Sequence, residues 1–343
     1  MSIRGEVFRD YGSLHYFPPP LATRLPRPIL KESPKQEFVL TYVMFALGLA
    51  GLFVGGEFLV RGAVGLARRL GISPLVIGLT VVGFGTSTPE LLVSLQAALA
   101  GSPAIAIGNV VGSNIANILL ILGVTALIMP VPMRLADTRR DFAVMIGVTL
   151  LLWALLFGAV ITAWQGAFFV ILLGAYLWFS LRSTQAAPED HPPATQKPVW
   201  RSVLEAAGGL ILLMVGARFL VESATEIARA FGISEAVIGL TIVAVGTSLP
   251  ELAASAMAAY RKHPEIAVGN ILGSNIFNIL AILGVTAMIY PIPVDPRFAR
   301  LDMPAAMAAA LAMLALAALA GRVSRLGGAA LIAGYAGYLA VAS

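Results

Sequence analysis

The sequence predicts an all-α membrane protein of ten transmembrane helices in two inverted five-helix repeats, with helices 2 and 7 broken near the bilayer midplane. Three observations carry that expectation. Of the 343 residues 58% are hydrophobic and 12% charged, with a mean hydropathy of +0.87, whereas soluble domains average roughly 25% charged. The second half of the chain repeats the first at a constant offset, which sets Gly71 on Gly232 and Pro132 on Pro293. Each copy also sets a proline and then a glutamate inside an apolar run, and Glu90 is the one charge between Gly71 and Met133.

At about 20 apolar residues per span, helices are expected near 38–66, 72–100, 103–129, 142–160, 163–181, 203–228, 234–260, 264–290, 303–320 and 326–342. The fourth and fifth come from one uncharged stretch, divided at GAVITAWQG. Residues 1–37 are proline-rich, mixed in charge and without an apolar run, so they read as an extramembrane tail. Residues 38–182 form the first repeat, 183–200 a polar cytoplasmic linker and 201–343 the second repeat. In helices 1 and 6, Glu57/Arg61 and Arg218/Glu222 are i, i+4 pairs of opposite polarity. Snorkelling pairs at the membrane edge are the plain reading; the sharper expectation is that Glu57 and Arg218 pair between the repeats.

The same offset lays GISPLVIGLT (71–80) on GISEAVIGLT (232–241) and IGNVVGSNIANILLILGVTALIMPVP (107–132) on VGNILGSNIFNILAILGVTAMIYPIP (268–293). Over 71–132 there are 39 identities in 62 ungapped pairs, with Asn, Ser, Glu and Pro kept in place, so duplication is the explanation. Five helices is an odd number. The second copy therefore enters the bilayer from the opposite side, about a pseudo-two-fold axis in the membrane plane. Loops after the odd-numbered helices carry about twelve Lys and Arg, against three on the other side (Arg229, Arg297, Arg300). Both termini are thus expected outside the cytoplasm of a multi-pass protein of the cell membrane.

The repeated words GTSTPE (85–90) and GTSLPE (246–251) carry the chemistry. Pro89 has no N–H for the carbonyl of Gly85, and Pro250 none for that of Gly246, so each helix must kink or break. Freed carbonyls at this depth need protein or a polar cavity, and the negative end of a half-helix suits a cation. Thr86, Ser87 and Glu90 stand beside the first break, and Thr247, Ser248 and Glu251 beside the second. The following helix of each copy adds a polar stripe at i, i+4, i+8: Asn109, Ser113, Asn117 and Asn270, Ser274, Asn278. A proline with Ser and Thr in a membrane helix is ordinarily a kink, and Ser, Gly and Asn are ordinarily packing residues. The intramembrane glutamate, present twice, is what points to function. Oxygen donors without His or Cys suit hard ions such as Na⁺ and Ca²⁺.

GTSTPEL…GNVVGSNIAN and GTSLPEL…GNILGSNIFN resemble the two alpha-repeats of the sodium/calcium exchanger family, prokaryotic type, within the calcium/cation antiporter superfamily. The resemblance implies Na⁺/Ca²⁺ antiport by alternating access, with helices 1 and 6 sliding and an ion site between helices 2, 3, 7 and 8. It also implies ligands at Thr86, Ser87, Glu90, Ser113, Asn117, Thr247, Ser248, Glu251, Ser274 and Asn278, with backbone oxygens of Gly83 and Ala244. Family members that need potassium carry Asp where this chain has Asn278. The alternative is a Ca²⁺/H⁺ antiporter, or one for another divalent cation. The wording typical of proton-coupled calcium exchangers is missing, and His15, His191 and His263 fall in tail or loops.

Other classes recede. A net charge of +5 fits cytoplasmic span ends and needs no nucleic acid. With no cysteine there is no disulfide, thiolate site or thiol nucleophile, and with no membrane-depth Ser–His pair an intramembrane enzyme is not expected. The expected protein is a monomer in the lipid bilayer that takes no cofactor beyond the Na⁺ and Ca²⁺ it transports.

Overall fold

Helix ends fall where the sequence removes a backbone donor or admits a left-handed turn. Ser73 caps the Pro74 helix by accepting from the Val76 amide. Gly101 takes φ +80° at the next turn, and its repeat counterpart Lys262 holds the same left-handed place at φ 61°. The computed structural model describes residues 34–183, 198–233, 242 and 244–342. Most of the expected tail and linker, and the start of the 234–260 segment, lie outside these residues. The chain divides into two units, Met1–Leu40 and Thr41–Ser343; the second is described below.

The helices are α1 (Pro34–Leu70), α2 (Pro74–Ile77), α3 (Gly83–Thr86), α4 (Thr88–Leu99), α5 (Ala104–Ala116), α6 (Leu122–Ile128), α7 (Leu135–Leu155), α8 (Ala163–Ser183), α9 (Val199–Ala230), α10 (Ala244–Gly246), α11 (Leu249–Tyr260), α12 (Pro264–Phe277), α13 (Gly284–Ile289), α14 (Met303–Ala315) and α15 (Arg325–Ala342). Wider π turns join several of them, at Gly78–Val82, Asn117–Ile121, Asn278–Leu283, Phe298–Asp302 and Leu316–Ala320. Two short antiparallel ladders complete the described residues. β1 (Val131–Pro132) pairs with β4 (Arg322–Val323), and β2 (Val160–Ile161) with β3 (Ile292–Pro293).

The protein is therefore all-α in its membrane part. Among the described residues seven helical stretches are long and apolar enough to cross a bilayer, and an eighth if Pro74–Thr86 and Thr88–Leu99, bent by 41°, form one span. The stretches Ile105–Ile128 and Pro264–Ile289 are 67% and 89% buried, so they form the centre; Ala163–Arg182 and Arg325–Ala342, at 22% and 11%, face outward. Of the ten expected segments, the fourth is found as α7. That helix begins at Leu135, ahead of the expected 142, because its first two turns hold Asp137, Arg139, Arg140 and Asp141.

α1 and α9 meet backbone to backbone. A Cβ on Gly55 would stand 2.7 Å from the Leu213 nitrogen and 2.8 Å from the Gly209 oxygen, and one on Gly48 would stand 2.9 Å from the Gly216 oxygen. The expected Glu57–Arg218 pairing is not what forms. Glu57 takes Arg61 on one carboxylate oxygen and Arg261, at the end of α11, on the other, both at 2.5 Å. The cause is placement: Gly56 lets α1 lie against Ala253 and Met257 of α11, while Arg218 is mostly exposed and bonds Glu222 at 2.8 Å on its own helix.

Candidate functional site

Both repeated words interrupt their helices as the prolines require. Pro89 and Pro250 occupy the first turn of α4 and α11, and between the half-helices Ser87 (φ −81°, ψ 3°) and Ser248 (φ −90°, ψ 6°) sit in the sparsely allowed bridge region. Below the first break Ser87 N–H reaches the Gly83 carbonyl at 3.2 Å; below the second Ser248 N–H reaches Val245 at 3.1 Å, one residue tighter. Beyond the breaks lie Glu90 and Glu251, 1% and 2% exposed.

The two copies meet at this level. α12 lies directly against Leu75–Leu79, and glycines make the approach possible: a Cβ on Gly78 would stand 2.6 Å from the Ile266 oxygen, and one on Gly273 2.8 Å from the Leu79 Cα. Second-copy side chains are thereby brought to the end of the first half-helix. The Ser87 hydroxyl donates to Glu251 Oε1 at 3.2 Å, and the Ser274 hydroxyl to the Gly83 carbonyl at 3.4 Å. The Thr86 hydroxyl lies between Val82 O (3.0 Å) and Asn270 Oδ1 (3.2 Å).

Each polar stripe divides its labour. Asn109 Nδ2 donates to the Glu90 carbonyl (3.1 Å) and to Ser94 Oγ (2.9 Å); Asn270 Nδ2 donates to the Glu251 carbonyl (3.3 Å) and to Ser255 Oγ (2.9 Å). The same two bonds thus recur at the equivalent positions of the second copy. The first member of each stripe braces the helix that carries the acid. The later members are left for other work: Ser113, Asn117, Ser274 and Asn278 are all buried, and Asn117 and Asn278 each open a π turn, a local widening often found at functional sites. Thr247 is half-buried, Ser248 is 3% exposed, and Ala244 begins α10.

Buried polar atoms are normally paired, so the orphans are informative. Among the described residues Glu90 Oε2, Glu251 Oε2, Asn278 Oδ1 and both amide atoms of Asn117 have no partner. Among the described residues no group of three or more His, Cys, Asp or Glu side chains is placed to hold a metal ion. Two carboxylates amid neutral oxygens suit a hard cation. Ser94, Ser255 and Asn114 were not anticipated as part of this network. Their signal was in the repeat, where Ser94 falls on Ser255 and Asn114 on Asn275.

Comparison with known proteins identifies the family. The chain is 38% identical over 270 residues to inner membrane protein YrbG of Escherichia coli, covering 75% of this chain and 82% of that one. It is 32% identical over 301 residues to sodium/calcium exchanger MaX1 of Methanosarcina acetivorans, covering 74% and 85%. Among solved structures the sodium-calcium exchanger NCX_Mj superposes with a TM-score of 0.78 at 33% identity, over 89% of this chain and 99% of that one. The model of the sodium/calcium exchanger protein family matches residues 40–182 and 202–343, and this multi-pass membrane protein belongs to that family.

Proposed function

We propose that this protein is a secondary antiporter that exchanges Na⁺ for Ca²⁺ across the cell membrane by alternating access. The observation that carries the reading is the presence of two buried glutamates at equivalent positions of the two copies, each beside an interrupted helix and each with an orphaned oxygen. In this reading Glu90 and Glu251 are the ligands for which the two ions compete, since two negative charges balance one divalent ion. Thr86, Ser87, Ser113, Asn117, Thr247, Ser248, Ser274 and Asn278 supply neutral oxygens, with the carbonyls of Gly83 and Ala244. No bond is made or broken, and the ion is exchanged whole. The protomer works as ten helices in two inverted repeats, 38–182 and 201–343, joined by the 183–200 linker after the 1–37 tail, with both termini outside the cytoplasm. The family and the exchangers named MaX1 and NCX_Mj support the choice of ions.

Flux in proteoliposomes tests it. An inward-directed Na⁺ gradient is expected to drive Ca²⁺ out of the lumen, and Glu90→Gln or Glu251→Gln should each lower that flux by at least about 100-fold, an effect of roughly 3 kcal/mol, with the protein still inserted. Full exchange in either variant overturns the site. Ca²⁺ movement driven by a pH gradient in the absence of Na⁺ overturns the choice of coupling ion in favour of H⁺.

A further inference from the structure

Asn114 follows Ser113 directly and so points to a different side of α5. Its side chain is 5% exposed and reaches the second copy. Nδ2 donates to the Asn275 carbonyl at 3.2 Å, and Oδ1 accepts from Asn278 Nδ2 at 2.9 Å. The order of these bonds is chemically constrained. A backbone carbonyl has no proton to give, so the Asn275 contact requires the NH₂ end of Asn114; its other end is then an acceptor, and only the NH₂ end of Asn278 can satisfy it. Asn278 is left with its amide oxygen buried and without a donor. Among the described residues the first copy shows no such clamp. Neither atom of Asn117 is held among the described residues, and Asn275, the counterpart of Asn114, turns its amide to Ile271 O of its own helix at 2.7 Å.

We propose that Asn114 is a positioning residue that holds Asn278 with its oxygen, and not its NH₂, available to the bound cation, so that Asn278 is a preset ligand and Asn117 an adjustable one. This rests on the exchanger reading above. An unclamped side-chain amide has two nearly equivalent orientations, and the wrong one turns N–H dipoles toward a cation. A clamp that forbids it therefore tightens ion binding without touching the ion.

The test is ion binding by the purified full chain, read as the rise of the melting temperature with Ca²⁺ concentration and repeated with Na⁺. In the wild-type background Asn114→Ala is expected to weaken apparent Ca²⁺ affinity about tenfold. In the Asn278→Asp background both terminal atoms are oxygens, so orientation no longer matters, and one of them faces Asn114 Oδ1 acceptor to acceptor; the same change is there expected to leave Ca²⁺ affinity unchanged or to raise it. An equal loss in both backgrounds means that Asn114 only packs, and overturns the proposal. The melting temperature without added ions reports folding; if Asn114→Ala does not fold, Asn114→Leu, of similar volume and without an acceptor, is read in the same way. A wild-type protein stabilised by neither Ca²⁺ nor Na⁺ overturns the exchanger reading along with this one, whereas a stabilised wild type with additive mutations overturns the clamp alone.

Discussion

A carboxylate can act as a ligand only if the helix carrying it is held still, and here one asparagine per copy does the holding. Asn270 is fully buried, and its amide ties α12 to the Glu251 carbonyl and to Ser255. Asn270→Leu removes the side-chain donor from both acceptors in a dry interior, which costs about 1–3 kcal/mol. The expected result is a lower melting temperature and, because Glu251 then shifts, weaker Ca²⁺ affinity in the same titration. Unchanged affinity would mean that the brace supports the fold and not the site. The stripe reading of the sequence found Asn270 but not this role, since spacing places a residue on a face and leaves its partner open. Asn114 escaped for a related reason: a stripe taken at every fourth residue from Asn109 steps over it. The two glutamates were legible because an uncompensated charge in an apolar run is costly wherever its helix lies.

Among the elements, the breaks were legible and the π turns were not. A proline removes a donor at a known position, so the interruptions at Ser87 and Ser248 follow from residue identity; a π turn costs little and leaves no compositional mark. The start of α7 was misplaced because a search for apolar runs discards its charged first turns. Close packing of α1 on α9 depends on which glycines face the partner, and neighbouring residues separate the two cases. A Cβ on Gly209 would collide with Leu59 and the Gly55 carbonyl, while one on Gly208 would meet nothing within 4 Å. Gly209→Ala is therefore expected to destabilise by about 1–3 kcal/mol through overpacking. Gly208→Ala should be neutral or gain up to about 1 kcal/mol from helix propensity. Thermal melts of the two variants measure the difference, and equal melting temperatures would show that α1 and α9 do not rely on this contact.

At the scale of the whole molecule, a duplicated chain with an odd number of spans per copy must place equivalent loops on opposite faces, and the two ladders fit that arrangement. Val131 falls on Ile292 in the repeat, so β1 and β3 are equivalent, and their partners β4 and β2 correspond to within one position. β1 precedes α7 and β2 follows it, so the ladders close opposite ends of that helix. Each ladder joins the first copy to the second, and the bundle is thus tied once at either end. Absolute orientation rests on the excess of Lys and Arg in loops after odd-numbered helices. The chain has no cysteine, which makes the question directly measurable. Gly158→Cys, beside the β2–β3 ladder, is expected to react with a membrane-impermeant maleimide in intact cells. Arg322→Cys, in the β1–β4 ladder, should react only after permeabilisation. The reverse pattern would turn the molecule over in the membrane and leave its symmetry intact. Labelling of both from one side would remove the inverted repeat itself, and with it the reason two breaks from separate copies should meet at the same depth.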